Sequence, residues 1–407
     1  MRSSHSFAML VLAVLAVTAG IQHAPFLDTG FWSTDDFQQL NILARAHAAG
    51  SLAFRPTLAG GYMANPLLGL EFRAFGLDPR PYVLVNLAVH VLNAFLAYLL
   101  VNALLHNRRG AFLSALLFVL SVGSYGKNLT FAMGVSSLFY AMAVLLGTLF
   151  YVLNEKRNAG KPVGLWAFAA YVIFFGSLFM RGGTFSLLAS FVFYNIFFAR
   201  ERGRPVLHTN LVVCLGLAAA TLVVRMVQEN TPPTAVDTGA FLRNLPGYLI
   251  LMVFPLHQSE LLSTAPGWVR AVYALAPIIR VVVGMSILSY SLFGLIFGNR
   301  TIRFYIAWMY VMVVPFAVFR YPSDWLNLRF LYLVSLGFCV LLTTGTLYAF
   351  KLLSHHRRRR LVPFAIPAFY VLLSAALVRQ LDRKNEVLAD APSTQEWRAQ
   401  IAAQLER

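Results

Sequence analysis

The feature that most constrains this chain is a succession of apolar runs, many close to the length of a bilayer-crossing helix, separated by short segments that collect the bases. A hydrocarbon core about 30 Å thick is crossed by about 20 residues of helix. Within lipid a helix satisfies its own backbone groups, so such runs read as membrane helices. Across 407 residues, 58% are hydrophobic and 12% charged, with mean hydropathy +0.66, more apolar surface than a soluble domain buries. A net charge of +17 would suggest nucleic acid in a soluble protein. Here the bases gather between spans, as the positive-inside rule requires, and nucleic acid is excluded as a partner. Cys214 and Cys339 both fall inside apolar runs, which points to neither a disulfide framework nor a thiolate metal site.

The first run, from about 7 to 26, follows Arg2 and reads as a membrane helix, with a cleaved signal peptide as the alternative. Arg2 then sets the N-terminus in the cytoplasm and residues 27–80 outside. In that outer loop, residues 36–50 place Phe37, Leu40, Leu43 and Ala44 at helical spacing against polar neighbours. This is an amphipathic helix expected to lie on the membrane surface. The loop continues through Arg55-Pro56 and a second apolar piece at 66–75. Further spans are expected near 82–105, 111–122, 133–153, 163–180, 184–198, 211–226, 271–297, 304–318, 330–350 and 361–378. Residues 248–256 read as interfacial or re-entrant, which keeps Arg300 and Arg303 inside. The result is an all-α polytopic protein of about eleven transmembrane helices. Residues 1–378 form one transmembrane domain and 379–407 a short polar tail outside, against which Arg379, Arg383 and Lys384 argue. The run His355-His356-Arg357-Arg358-Arg359-Arg360 marks a cytoplasmic loop and reads as an anchor on anionic lipid. Of sixteen acids only Glu155 and Glu201 fall inside, so chemistry is expected on the outer face.

The stretch Gly30-Phe31-Trp32-Ser33-Thr34-Asp35-Asp36-Phe37 puts two adjacent carboxylates just past the first span. One reading is structural: Ser33 caps a helix and Asp36, three residues on, completes a capping box. The other is chemical. A sugar carried on a polyprenyl phosphate already has a good leaving group, so its transfer needs one base and some cations rather than a strong acid. A carboxylate opposite the leaving group takes the acceptor's proton, giving inversion by single displacement. Either Asp35 or Asp36 suits that role. Fixed positive charge would hold the donor phosphate, and Arg181, Arg329, Lys127 and Arg320 fall at the outer ends of spans, where each also reads as a snorkelling base. Asn86, His90 and Asn93, at i, i+4 and i+7, share one helix face that must meet protein or water. His90 there reads as a packing residue or a proton carrier. An Asp pair without a further carboxylate or His cluster is a thin Mg2+ or Mn2+ site, so no metal and no cofactor is expected.

In its order of elements the chain resembles the GT-C fold membrane glycosyltransferases, and within them the transmembrane O-mannosyltransferases that carry TPR repeats. The resemblance rests on Thr34-Asp35-Asp36-Phe37, Arg55-Pro56, Tyr82 to Asn86 with His90 and Asn93, Trp308, Pro315, and Arg329-Phe330-Leu331-Tyr332-Leu333 with Ser335-Leu336-Gly337. It implies an inverting transferase of a bacterial inner membrane that takes its sugar from a polyprenyl-phosphate donor. The acceptor would be a lipid, glycan or protein hydroxyl on the outer face. By the family pattern Asp35 is the base and Asp36 its partner, with Arg55, Asn86, His90, Asn93 and Tyr332 in support. The chain departs from that pattern at Gly123 to Lys127, at Gly134-Val135 and Ser137, and at Arg181-Gly182, and no TPR segment follows. Two other readings stay open: a non-catalytic protein that binds polyprenyl lipid, and a polysaccharide polymerase or ligase, for which the late outer loops are short. Proton-coupled transport fits less well, since no acid lies deep within a span.

Overall fold

The computed structural model of the protein describes residues 2–28, 34–48, 64–121, 127–158, 164–178, 183–198, 205–206, 209–229, 238–253, 274–318, 328–355 and 361–405, with 267 and 270. Every regular element among them is helical. In chain order these are α1 (Arg2–His23) with a 3-10 turn at Ala24–Asp28, α2 (Thr34–Ala48), α3 (Ala64–Phe75), α4 (Pro79–Leu105), α5 (Arg108–Val119) and α6 (Lys127–Thr130). Then come α7 (Gly134–Arg157), α8 (Leu165–Ser177), α9 (Gly183–Phe198), α10 (Thr209–Glu229), α11 (Thr238–Val253) and α12 (Ala276–Phe297). The chain closes with α13 (Arg300–Ala317), a 3-10 turn at Leu328–Leu331, α14 (Tyr332–Leu353), α15 (Ala365–Ala389) and α16 (Pro392–Leu405).

Among the described residues six helical segments are long and apolar enough to cross a membrane: Ser6–Asp28, Pro79–Leu105, Gly134–Arg157, Pro277–Phe297, Arg329–Leu353 and Val362–Ala389. Leu165–Ser177, Thr184–Phe198 and Thr209–Ala220 are shorter apolar helices. The chain is a multi-pass membrane protein. The bundle is built around α4, α7 and α14, while α12 buries only 6% of its apolar window and presents the rest outward. The run expected to span at 111–122 is the 12-residue α5, too short to cross alone. It is nonetheless enclosed, because Gly110, Ala111, Ser114 and Ala115 are small enough to let α4 and α14 pack closely on it. Of the segment expected to be interfacial at 248–256, the described residues 248–253 belong to α11, Thr238–Val253, which buries Tyr248, Leu249, Leu251 and Met252. Asn244 of α11 donates to Ala317 O at the end of α13 (3.1 Å), whereas Thr301 at the start of α13 donates to Leu104 O (3.1 Å) at the opposite end of α4.

Helices α13 and α14 meet without room to spare. The Trp308 indole N–H donates to Leu333 O (2.8 Å), and a Cβ added at Gly337 would stand 2.8 Å from Tyr305 O. A backbone oxygen cannot swing aside as a side chain can, so Gly337→Val is expected to force the two helices apart and cost about 1–3 kcal/mol, the usual range for overpacking a core. Thermal unfolding of the purified protein should register that loss; an unaltered midpoint would mean the helices part freely.

Helix α2 is amphipathic as its spacing requires, but its apolar stripe does not rest on lipid. Phe37, Leu40, Leu43 and Ala44 share one buried cluster with Leu68 and Phe72 of α3, Tyr82 of α4, Ala132 and, from the far end of the chain, Ile401 of α16. Protein offers that stripe closer packing than an interface does, and 0% exposure at Leu40 and Ala44 records it. Helix α15 runs on past residue 378 to Ala389, and α16 then turns back onto α2. The C-terminal segment and the first loop therefore lie at the same end of the bundle.

Candidate functional site

At the end of the bundle that carries α2, one turn is the meeting point of three helices. Residues 127–133 comprise the short α6 and the entry to α7, and a turn this short satisfies its own backbone only in part, as where Gly134 N–H donates to Phe131 O (3.0 Å). Side chains from elsewhere add to this. The Asp36 carboxylate accepts from Met133 N–H (3.2 Å). The Asn86 amide donates to Leu129 O (3.3 Å) and Phe131 O (2.7 Å), and the Asn128 amide donates to Arg329 O (3.0 Å). Helices α2 and α4 and the 3-10 turn of Arg329 are thus fastened to the same few residues.

Asp36 is wholly buried, and its bond reaches beyond its own helix. The carboxylate sits at the N-terminus of the 24-residue α7. The reason is physical: α7 presents a positive helix end and an open Met133 N–H, where a buried carboxylate finds both a donor and a favourable dipole. Ser33, the other half of the expected capping box, lies outside the described residues.

The polar stripe of α4 also binds protein. His90 is wholly buried, with Nδ1 2.7 Å from the Tyr332 hydroxyl and Nε2 3.2 Å from Val119 O. A carbonyl can only accept, so Nε2 carries the hydrogen of the neutral ring and Nδ1 accepts from Tyr332. Asn93 donates to Leu138 O (2.9 Å) on α7. These three residues tie α4 to α5, α7 and α14, which is how polar groups act between membrane helices. Tyr332, named from the late motif, is thereby brought to His90. His23 of α1 joins them unanticipated, its ring 5.8 Å from that of His90 and stacked on Phe26.

Arg329 is half-buried in its 3-10 turn. Its guanidinium carbon lies 4.9 Å over the Phe330 ring, which in turn stacks on Phe316 at 4.2 Å, a cation–π contact backed by a rigid aromatic pair. Asp35 is the second residue of α2 and Lys127 the first of α6, but their side chains lie outside the described residues. So do Arg55, Arg181 and Arg320 altogether. No group of three or more His, Cys, Asp or Glu suited to a metal occurs among the described residues.

One acid of this region was missed from sequence. Glu71 of α3 is 8% exposed, shares the α2 end of the bundle with Asp36, and finds no hydrogen-bond partner for either oxygen among the described residues. Its neighbours in sequence gave the signal: it stands between Leu68 and Phe72, on the side of α3 that packs inward. Both carboxyls stand within electrostatic reach of the Tyr82 hydroxyl, which donates to Gly76 O (2.9 Å). Burial pushes the Glu71 carboxyl from 4.5 up to about 8, so at neutral pH it holds its proton. Between those two values the folded chain binds a proton that the unfolded chain has released. The contribution of Glu71 to stability is therefore full below pH 4.5, falls as pH rises, and levels off above about 8. The slope is roughly 1 kcal/mol per pH unit, allowing for partial solvation. Glu71→Gln should flatten this part of a thermal-midpoint profile in detergent; a profile identical to the parent's would show that another group sets it.

No protein-family model matches the chain, and no curated protein matches it in sequence. Solved structures do. The archaeal oligosaccharyltransferase AglB of Archaeoglobus fulgidus, in complex with an inhibitory peptide and a dolichol-phosphate, superposes with a TM-score of 0.50 at 14% identity. That alignment covers 96% of this chain and 56% of that one. The apo form of the Archaeoglobus fulgidus oligosaccharyltransferase aligns with a TM-score of 0.47 at 16% identity, over 95% and 56% of the two chains. This chain spans little more than half the length of the neighbour. What the two share is the GT-C fold.

Proposed function

We propose that this GT-C-fold membrane protein is a glycosyltransferase that moves a sugar from a polyprenyl-phosphate-linked donor to an acceptor hydroxyl, at the face of the membrane where α2 lies. The observation that carries the proposal is the turn at 127–133, which holds the acid-bearing helix by Asp36 and the turn of Arg329 by Asn128. A carboxylate pair and a fixed cation thereby belong to one end of the bundle. The dolichol-phosphate in the AglB complex supports a lipid-phosphate donor, and the peptide there supports a protein or peptide among the acceptors. The basic loop between α14 and α15 supports the outer face for the α2 end.

In this reading Asp35 is the base. It takes the proton of the acceptor hydroxyl as that oxygen bonds to the anomeric carbon. The bond from that carbon to the phosphate oxygen breaks, and its electron pair leaves on the polyprenyl phosphate. The attack comes from the face opposite the leaving group, so the anomeric centre inverts. Arg329, with Lys127, Arg181 and Arg320, offsets the charge gathering on the phosphate. Asp36, engaged with Met133 N–H, holds α2 in place, and Asn86, His90, Asn93 and Tyr332 keep the bundle beneath it rigid. The direct test supplies purified protein with polyprenyl-phosphate sugars and acceptors and follows free polyprenyl phosphate and glycosylated product. Release of both in equal amounts supports the assignment. Binding of the lipid without either product would instead favour a carrier-binding protein.

A further inference from the structure

Helix α2 has little to hold it in a helical state by itself. A 15-residue helix is marginal in water without packing. What makes it stable is the cover over Phe37, Leu40, Leu43 and Ala44, and a large part of that cover comes from α16. Ile401 of α16 is 0% exposed within this cluster, and Trp397 packs against it one turn earlier. Ile401 and Trp397 are the large apolar side chains of α16 that pack into this cluster, and they form the side by which the helix is held.

The elbow that returns α16 to this place is itself tied. The Thr394 hydroxyl donates to Leu388 O (2.8 Å) and the Gln395 amide to Ala389 O (3.2 Å), so the first turn of α16 closes the C-terminal end of α15. Helix α15 leads back to the bundle through its contacts with α1 and α14. A continuous path thus runs from the bundle through α15 and the elbow to α16, and from there onto α2. Asp36 fastens α2 to α7 at its N-terminal end, and α16 clasps its apolar stripe.

We propose that the C-terminal helix is the positioning element for the acid-bearing helix, with Ile401 and Trp397 as its positioning residues. The effect on transfer rests on the proposed glycosyltransferase reading; the effect on α2 does not. Neither residue touches substrate in this account. Their role is to hold α2 where Asp35 meets the acceptor.

The test uses full-length protein in detergent or nanodiscs and compares the parent with Ile401→Asp, Trp397→Ala and the conservative Ile401→Val. Amide hydrogen exchange over residues 34–48 is read against exchange in α4 and α7, which reports whether the bundle is folded. Ile401→Asp should speed exchange in α2 by on the order of tenfold or more with α4 and α7 unmoved, Trp397→Ala should do so to a smaller extent, and Ile401→Val should restore protection. Turnover should fall with α2 protection while the KM for the lipid donor stays within about twofold, as expected when geometry rather than donor binding is lost. Unchanged exchange in α2 for both Ile401→Asp and Trp397→Ala overturns the proposal. If Ile401→Asp also loosens α4 and α7, the Trp397→Ala result decides. Loosened α2 in a chain whose parent transfers no sugar would uphold the clasp and reject the glycosyltransferase reading.

Discussion

Asp35→Asn is expected to lower sugar transfer by about 10²- to 10⁴-fold, the range by which a positioned base accelerates a displacement. The substitution keeps size and hydrogen-bonding capacity but removes the proton acceptor, so donor KM and thermal stability should stay close to the parent's. A rate loss of this size with KM unmoved is the mark of a group acting in the transition state alone. Single-turnover assays with a supplied polyprenyl-phosphate sugar read it without interference from product release. Turnover within about threefold of the parent would remove Asp35 from the chemistry, since general-base catalysis contributes far more than that.

Asp36→Ala should behave differently although the two residues are adjacent. It deletes a wholly buried carboxylate and leaves Met133 N–H at the entrance of α7 without its acceptor. Losing a buried charge-assisted bond costs about 1.5–3 kcal/mol, and removing negative charge from a helix N-terminus adds up to about 1–2 kcal/mol. We expect a net loss of about 3 kcal/mol, concentrated in α2 and the entry to α7. Asp36→Asn, which keeps an acceptor oxygen but not the charge, should lose roughly half as much. Transfer should drop in proportion to the loss of α2 protection, in contrast to Asp35→Asn. Equal stability of Asp36→Ala and the parent would mean that the bond to α7 contributes nothing, and the distinction drawn between the two acids would fail.

Much of this was legible along the chain. The expected run at 133–153 is α7, Gly134–Arg157, and the expected run at 330–350 is α14, Tyr332–Leu353. Hydrophobicity and length settle such boundaries locally, because a helix in lipid must close its hydrogen bonds within its own segment. The spacing of Asn86, His90 and Asn93 likewise placed them on one face. Glu71 escaped notice because an acid in a short amphipathic piece is ordinarily solvated, and only the packing of α2 and α3 removes its water.

The sequence by itself determined a multi-pass helical protein, the approximate limits of most of its helices and the adjacency of Asp35 and Asp36. The tertiary structure decided the partners: Met133 for Asp36, Tyr332 and Val119 for His90, Leu129 and Phe131 for Asn86, and Ile401 for the stripe of α2. The division has one cause. Whether a segment is a helix depends on residues a few positions apart, whereas its partner is selected among many chemically equivalent carbonyls and apolar side chains, some more than two hundred residues away. Only simultaneous packing of all the helices discriminates among them.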